Sequence, residues 1–113
     1  MNLPSITTTI TAGASLSSAI DLGGGVLAGI IIPSTWTTAS LTFQVSNDGV
    51  NYYNLYDEYG SEVTATPAAG TFMRLSAGDY FGVPQIKLRS GTAASAVNQV
   101  STARLILVLR GGR

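Results

Sequence analysis

The chain contains neither cysteine nor histidine. Without cysteine there is no disulfide and no thiolate metal site. Without either residue the usual nucleophile–base pairs of covalent catalysis cannot be assembled. Charge is also scarce: six basic and six acidic side chains give a formal net charge of zero, and charged residues make up 11% of the chain, against about 25% in an ordinary soluble domain. A neutral balance argues against nucleic-acid binding, which draws on a basic stripe. A lone monomer so poor in charge is weakly protected against association. Much of its surface is therefore expected to be covered by partners, although abundant Ser, Thr and Asn could also keep it soluble. Long apolar runs are missing too. The most apolar stretch, Val26 to Ile32, is far too short to span a bilayer. The opening MNLPSITTTITAG has neither the basic start nor the apolar core of a signal peptide. The expectation is a product made in the cytoplasm with no membrane partner.

What remains is short β-pattern and turn chemistry. In Ala39 to Tyr59, Leu41, Phe43 and Val45 alternate with Thr42, Gln44 and Ser46, the period of a half-buried strand. Asn47-Asp48-Gly49 follows as a hairpin turn signal. A second strand with Val50, Tyr52, Tyr53, Leu55 and Tyr56 is expected to complete a long aromatic hairpin at the centre of the fold. Around it the pattern predicts strands over 5–11, 15–22, 26–32, 61–66, 71–76, 85–90 and 101–110. Glycine-rich and proline-containing turns separate them. The stretch 91–99 reads as a flexible loop.

Eight or nine short strands, no capped amphipathic helix and no fixed repeat predict an all-β chain. Its architecture is a β-sandwich of eight or so antiparallel strands, jelly-roll-like, with an immunoglobulin-like strand order as the alternative. At this length the chain is one domain: residues 1–12 form an N-terminal arm or edge strand and residues 13–113 a single β-sandwich domain.

Few residues suggest chemistry. Asp48 and Asp57 fall in turns, where an aspartate bonds nearby backbone. Asp21, Glu58, Glu62 and Asp79 form no evident convergent set, so no catalytic residue is assigned and an enzyme is not expected. Oxygen ligands from Asn47, Asp48, Asp57 and Glu58 lack the spacing of a calcium loop, and Gly23-Gly24-Gly25 is not followed by the lysine and helix of a phosphate loop. No metal or cofactor is expected. Contact candidates are clearer. Tyrosine is enriched at interfaces. Tyr52 and Tyr56 share one face of their strand, with Tyr53 and Leu55 on the other; cross-strand packing is the competing role. Trp36 lies in a loop, either as an anchor or as a cap on the core. Tyr80 sits in an irregular aromatic loop. Leu27 and Ile31 belong to a strand apolar on both faces, one of which a partner subunit could cover. Ile6 and Ile10 lie in an arm that could add a strand to a neighbour. Partner binding is thus expected at Ile6, Ile10, Leu27, Ile31, Trp36, Tyr52, Tyr53, Tyr56 and Tyr80.

The runs Leu41–Gly49, then Tyr52 or Tyr53, Leu55 and Tyr56-Asp57, then Ile86–Thr92 and Ala103–Leu109 resemble small proteins of the head and head–tail gene clusters of tailed bacteriophages and prophages. The resemblance extends from about Gly13 to Arg110. The segment FQVSNDG also resembles strands of discoidin-type carbohydrate-binding jelly rolls. The phage resemblance implies a non-enzymatic structural protein of the virion: a capsid decoration or cement protein, or the base of a head fibre or spike. Its implied partners are itself, as a trimer or pentamer, and the major capsid protein or a head fibre. It supplies no catalytic residues. The alternative is a carbohydrate- or host-receptor-binding module, with Trp36, Tyr53 or Tyr80 as the aromatic platform.

Overall fold

A computed structural model describes residues 5–111; Met1–Pro4 of the expected arm and the last two residues lie outside them. Eight strands appear in chain order: β1 Ser5–Ile10, β2 Ile20–Asp21, β3 Val26–Ile31, β4 Leu41–Ser46, β5 Tyr53–Asn54, β6 Phe72–Arg74, β7 Gln85–Ser90 and β8 Ala103–Arg110. They form two four-stranded sheets, β1-β8-β3-β6 and β2-β7-β4-β5. Every pairing is antiparallel. The interleaved order is that of an eight-strand jelly roll, two Greek keys folded into a sandwich.

Alternation decides which side chains meet between the sheets. Leu105 and Leu107 of β8, Ile30 of β3, Phe43 of β4 and Ile86 and Leu88 of β7 are fully buried. Burying each such side chain contributes roughly 1.5–3 kcal/mol relative to exposure. The first sheet's central strand, β8, follows its predicted pattern throughout, with Arg104, Ile106, Val108 and Arg110 on the outer side. A short 3-10 turn, Ala77–Tyr80, carries Tyr80 into the core. Its ring stands edge-on to Phe43, with centroids 5.2 Å apart and planes at 78°.

β3 explains why its run is apolar on both sides. Its register with β8 shifts between Leu27 and Gly29, a β-bulge that places an extra residue in one strand. Leu27 and Ile30 both end in the core despite their odd spacing, whereas Ile31 emerges on the outer face. β1 pairs along its whole length with β8 of its own chain, from Ser5 opposite Val108 to Ile10 opposite Ala103.

The central hairpin is shorter than its pattern predicts. Only Asn54 and Tyr53 pair with β4, opposite Gln44 and Val45, so the loop runs over 47–52. The cause is Asp48. Its carboxylate accepts hydrogen bonds from the backbone N–H of Val50 at 2.8 Å and of Asn51 at 2.9 Å, and from Asn51 Nδ2 at 3.0 Å. These bonds prolong the turn beyond Gly49, which has φ 77°. The expected strands 15–22 and 61–66 are likewise reduced. The first keeps β2 and a bridge from Leu16 to Arg89; the second keeps bridges from Glu62 to Tyr56 and from Ala65 to Leu41.

Candidate functional site

The outer side of the second sheet is mostly internal architecture. Arg89 projects outward from β7, yet it is buried. Its Nε donates to Thr42 Oγ1 at 2.9 Å, Nη1 to Asn54 Oδ1 at 2.9 Å and Nη2 to Glu62 Oε2 at 2.8 Å. Thr42 Oγ1 in turn donates to the Gly91 carbonyl at 2.7 Å, and Glu62 Oε2 accepts from the Ala93 N–H at 3.1 Å. One guanidinium therefore ties β4, β5, β7 and the loops at 62 and 91–93 together. Nearby, Tyr52 lies over the sheet. Its hydroxyl is 3.1 Å from Gln85 Oε1, and Lys87 Nζ stands 4.3 Å from its ring centroid, a cation–π contact.

The acidic turns are also occupied by their own backbone. Hydrogen bonds from Asn51, Val50 and Ser46 hold the Asp48 carboxyl far below its ordinary range, because each bond favours the charged form. Asp57 Oδ1 accepts from Tyr59 N at 2.8 Å and Ser61 N at 3.0 Å. Among the described residues no group of three or more acidic side chains is placed to hold a metal ion. Asp57, Glu62 and Asp79 do line a cleft of about 470 Å³ between the 62–66 segment and the β6 edge with its following 3-10 turn, together with Arg74 and Tyr80. Burial, reinforced by the nearby Asp79 charge, pushes the Tyr80 phenol well above its ordinary value.

The nine predicted contact residues do not form one surface. Ile10, Leu27 and Tyr80 are core residues, a correction to their expected contact role, and Trp36 is buried in the core as a cap, its other expected role. Ile10 is turned inward by pairing with β8, Leu27 by the bulge, and the two aromatics fill space between the sheets. Ile6 and Tyr52 are half-buried. Ile6 lines a groove between the β1 and β2 edges with Thr8 and Ile20. Tyr53 and Tyr56 are open to solvent, 63% and 51% exposed. Tyr53 lies at the rim of the sandwich beside Val83 and Pro84.

Ile31, 37% exposed, belongs to the surface that residue-by-residue reading missed. It stands opposite Phe72 of β6 on one side and Ile106 of β8 on the other. Phe72 is 56% exposed. Its ring crosses Gly29, where an added Cβ would come within 2.8 Å of Phe72 Cε1. Val108 stands opposite Gly29. The outer face of β6, β3 and β8 is thus a continuous apolar strip with Arg74, Arg104 and Arg110 around it. The signal was present in the alternation of β8, whose outward positions include Ile106 and Val108. The sequence does not say that β3 and β6 extend the same strip.

No helix among the described residues is long and apolar enough to cross a membrane. No protein-family model and no curated protein matches the chain. Among solved structures it is similar to the crystal structure of the Yersinia pseudotuberculosis-derived mitogen, with a TM-score of 0.44 and 14% identity over 97% of this chain and 86% of that one.

Proposed function

We propose that this chain is a non-enzymatic structural protein of a tailed-phage virion, either a decoration or cement protein on the capsid or the base of a head fibre or spike. It acts by self-association and by binding the shell. The apolar outer face of the first sheet, built on Ile31, Phe72, Ile106 and Val108, carries this reading. A soluble domain exposing a contiguous apolar face is normally an interaction module, and this one adds few charges that would oppose contact. The resemblance of Leu41–Gly49 and Ile86–Thr92 to phage head-cluster proteins supplies the setting. The carbohydrate-binding alternative retains only Tyr53 of its three proposed platform rings, because Trp36 and Tyr80 are buried.

The test is add-back. Particles from a phage or induced prophage deleted for the gene are incubated with purified chain. Saturable binding that is competed by unlabelled chain supports the reading. No binding, with no chain in wild-type particles either, overturns it.

A further inference from the structure

Charge in this molecule is unevenly distributed. The strands of the first sheet carry Arg74, Arg104 and Arg110 and no acidic residue. All six acidic residues lie elsewhere, among only Lys87 and Arg89 of the other described basic side chains. Arg89 is already paired with Glu62. The outer face of the first sheet is therefore apolar with a cationic border, in which Arg74 shares a cleft with Asp57, Glu62 and Asp79, Arg110 lies over the Phe81 ring and Arg104 is exposed. An acidic turn runs over 57–60. Asp57 Oδ1 holds it from inside through Tyr59 N and Ser61 N, and Gly60 closes it with φ 82°. Glu58 and Tyr59 are left fully presented, beside exposed Tyr56.

We propose that copies of this chain associate head to tail, the Ile31–Phe72 face of one receiving the Glu58–Tyr59 turn of the next. The two patches complement each other: aliphatic groups bordered by arginines meet aromatic groups beside a carboxylate. Opposite potentials steer such an encounter and set its register. A turn fixed by its own aspartate loses little conformational freedom on docking. Because the two patches differ, the contact is heterologous, and such contacts close into rings when the rotation allows. This is the geometry a trimer or pentamer requires. The inference rests on the reading of the chain as an assembly component and names the surfaces that assemble it.

Sedimentation analysis of the full chain tests it with four variants: Ile31→Asp and Arg104→Glu on the face, Glu58→Arg and Tyr59→Ser on the turn. Arg104 and Glu58 are exposed, so their variants keep the test alive if the other two misfold. The wild type is expected to sediment as a multiple of 11.7 kDa. Each variant is expected to weaken association by about tenfold or more, Arg104→Glu and Glu58→Arg by setting like charges against each other, Ile31→Asp and Tyr59→Ser by removing apolar contact. Mixing a face variant with a turn variant is expected to restore one intact contact and give a dimer that grows no further. An assembled wild type with unaffected variants, or mixtures that give no dimer, overturns the head-to-tail contact but leaves assembly standing. A monomeric wild type that still binds particles overturns self-association alone. A face variant that loses particle binding without changing the mass of the free protein assigns the face to the shell and overturns the inference. A monomer absent from particles removes the functional reading as well.

Discussion

Arg89 and Glu62 meet at 2.8 Å with side chains only 8% and 15% exposed, and the guanidinium also holds Thr42 and Asn54. Removing one partner of a buried pair leaves the other charge stranded, at a cost of about 3 kcal/mol. Glu62→Ala is therefore expected to lower the unfolding free energy by roughly that amount in a denaturant titration. The double variant Arg89→Met with Glu62→Leu is expected to recover part of the loss, since apolar replacement removes the stranded charge. A double-mutant cycle measures the coupling directly.

Gln99 performs a similar task for the loops. It is fully buried. Its Oε1 accepts from Thr37 N at 2.8 Å, and its Nε2 donates to the Thr37 carbonyl at 3.0 Å and to Ser90 Oγ at 2.8 Å. Gln99→Ala leaves these groups without partners, at about 1–3 kcal/mol for an unsatisfied buried group. Faster amide exchange at Thr37 is the expected local sign, and exchange measured by NMR checks it.

The Asp48 turn sets a pH dependence. Its folded pKa lies far below the ordinary 3.8 because four hydrogen bonds favour the carboxylate. A depressed carboxylate contributes stability that is complete above its unfolded pKa and is lost as pH falls towards the folded value. The Tm difference between wild type and Asp48→Asn is therefore expected to be constant near neutrality and to shrink below about pH 4. Thermal melts across that range check the sign.

Gly91 has φ 94°, and a Cβ added there would lie 2.5 Å from the Ser95 carbonyl oxygen and 2.6 Å from Val97 N. Both obstacles are backbone. Gly91→Ala is expected to be among the most destabilising loop substitutions, by at least about 2 kcal/mol from conformational strain and collision together. Gly78→Ala, which meets nothing within 4 Å, is the control, and chemical denaturation compares the two.

Strands with a clear period of two in the sequence were readable: β8 alternates in burial from end to end, and β4 and β7 lie where their pattern places them although Thr42, Ser46 and Arg89 on their outer sides are buried. The interleaving of the two sheets was not, because strand order depends on contacts between segments far apart in the chain, such as Ile6 opposite Leu107. Loop order was misread for a related reason. Residues 91–99 look flexible from composition, yet Gly91 bridges to Ala96 and Val97 N donates to the Ser90 carbonyl at 2.9 Å. Gln99 then locks the segment to Thr37. Of the contact residues, exposure could not be told from chemistry alone. Tyr80 and Tyr53 are both aromatic residues beside turns, and only the sandwich geometry buries one and exposes the other. Ile31 was named from its two-sided apolar strand, but Phe72 acquires meaning only through its pairing with Ile31 across the sheet.

The central claim, a chain that exists as part of a particle, is tested most directly by quantitative mass spectrometry of purified virions or induced prophage particles. The expected result is this chain in a fixed ratio to the main shell protein, unchanged through repeated banding. Its absence from the banded particles, with all of it recovered in the soluble fraction, would contradict the account.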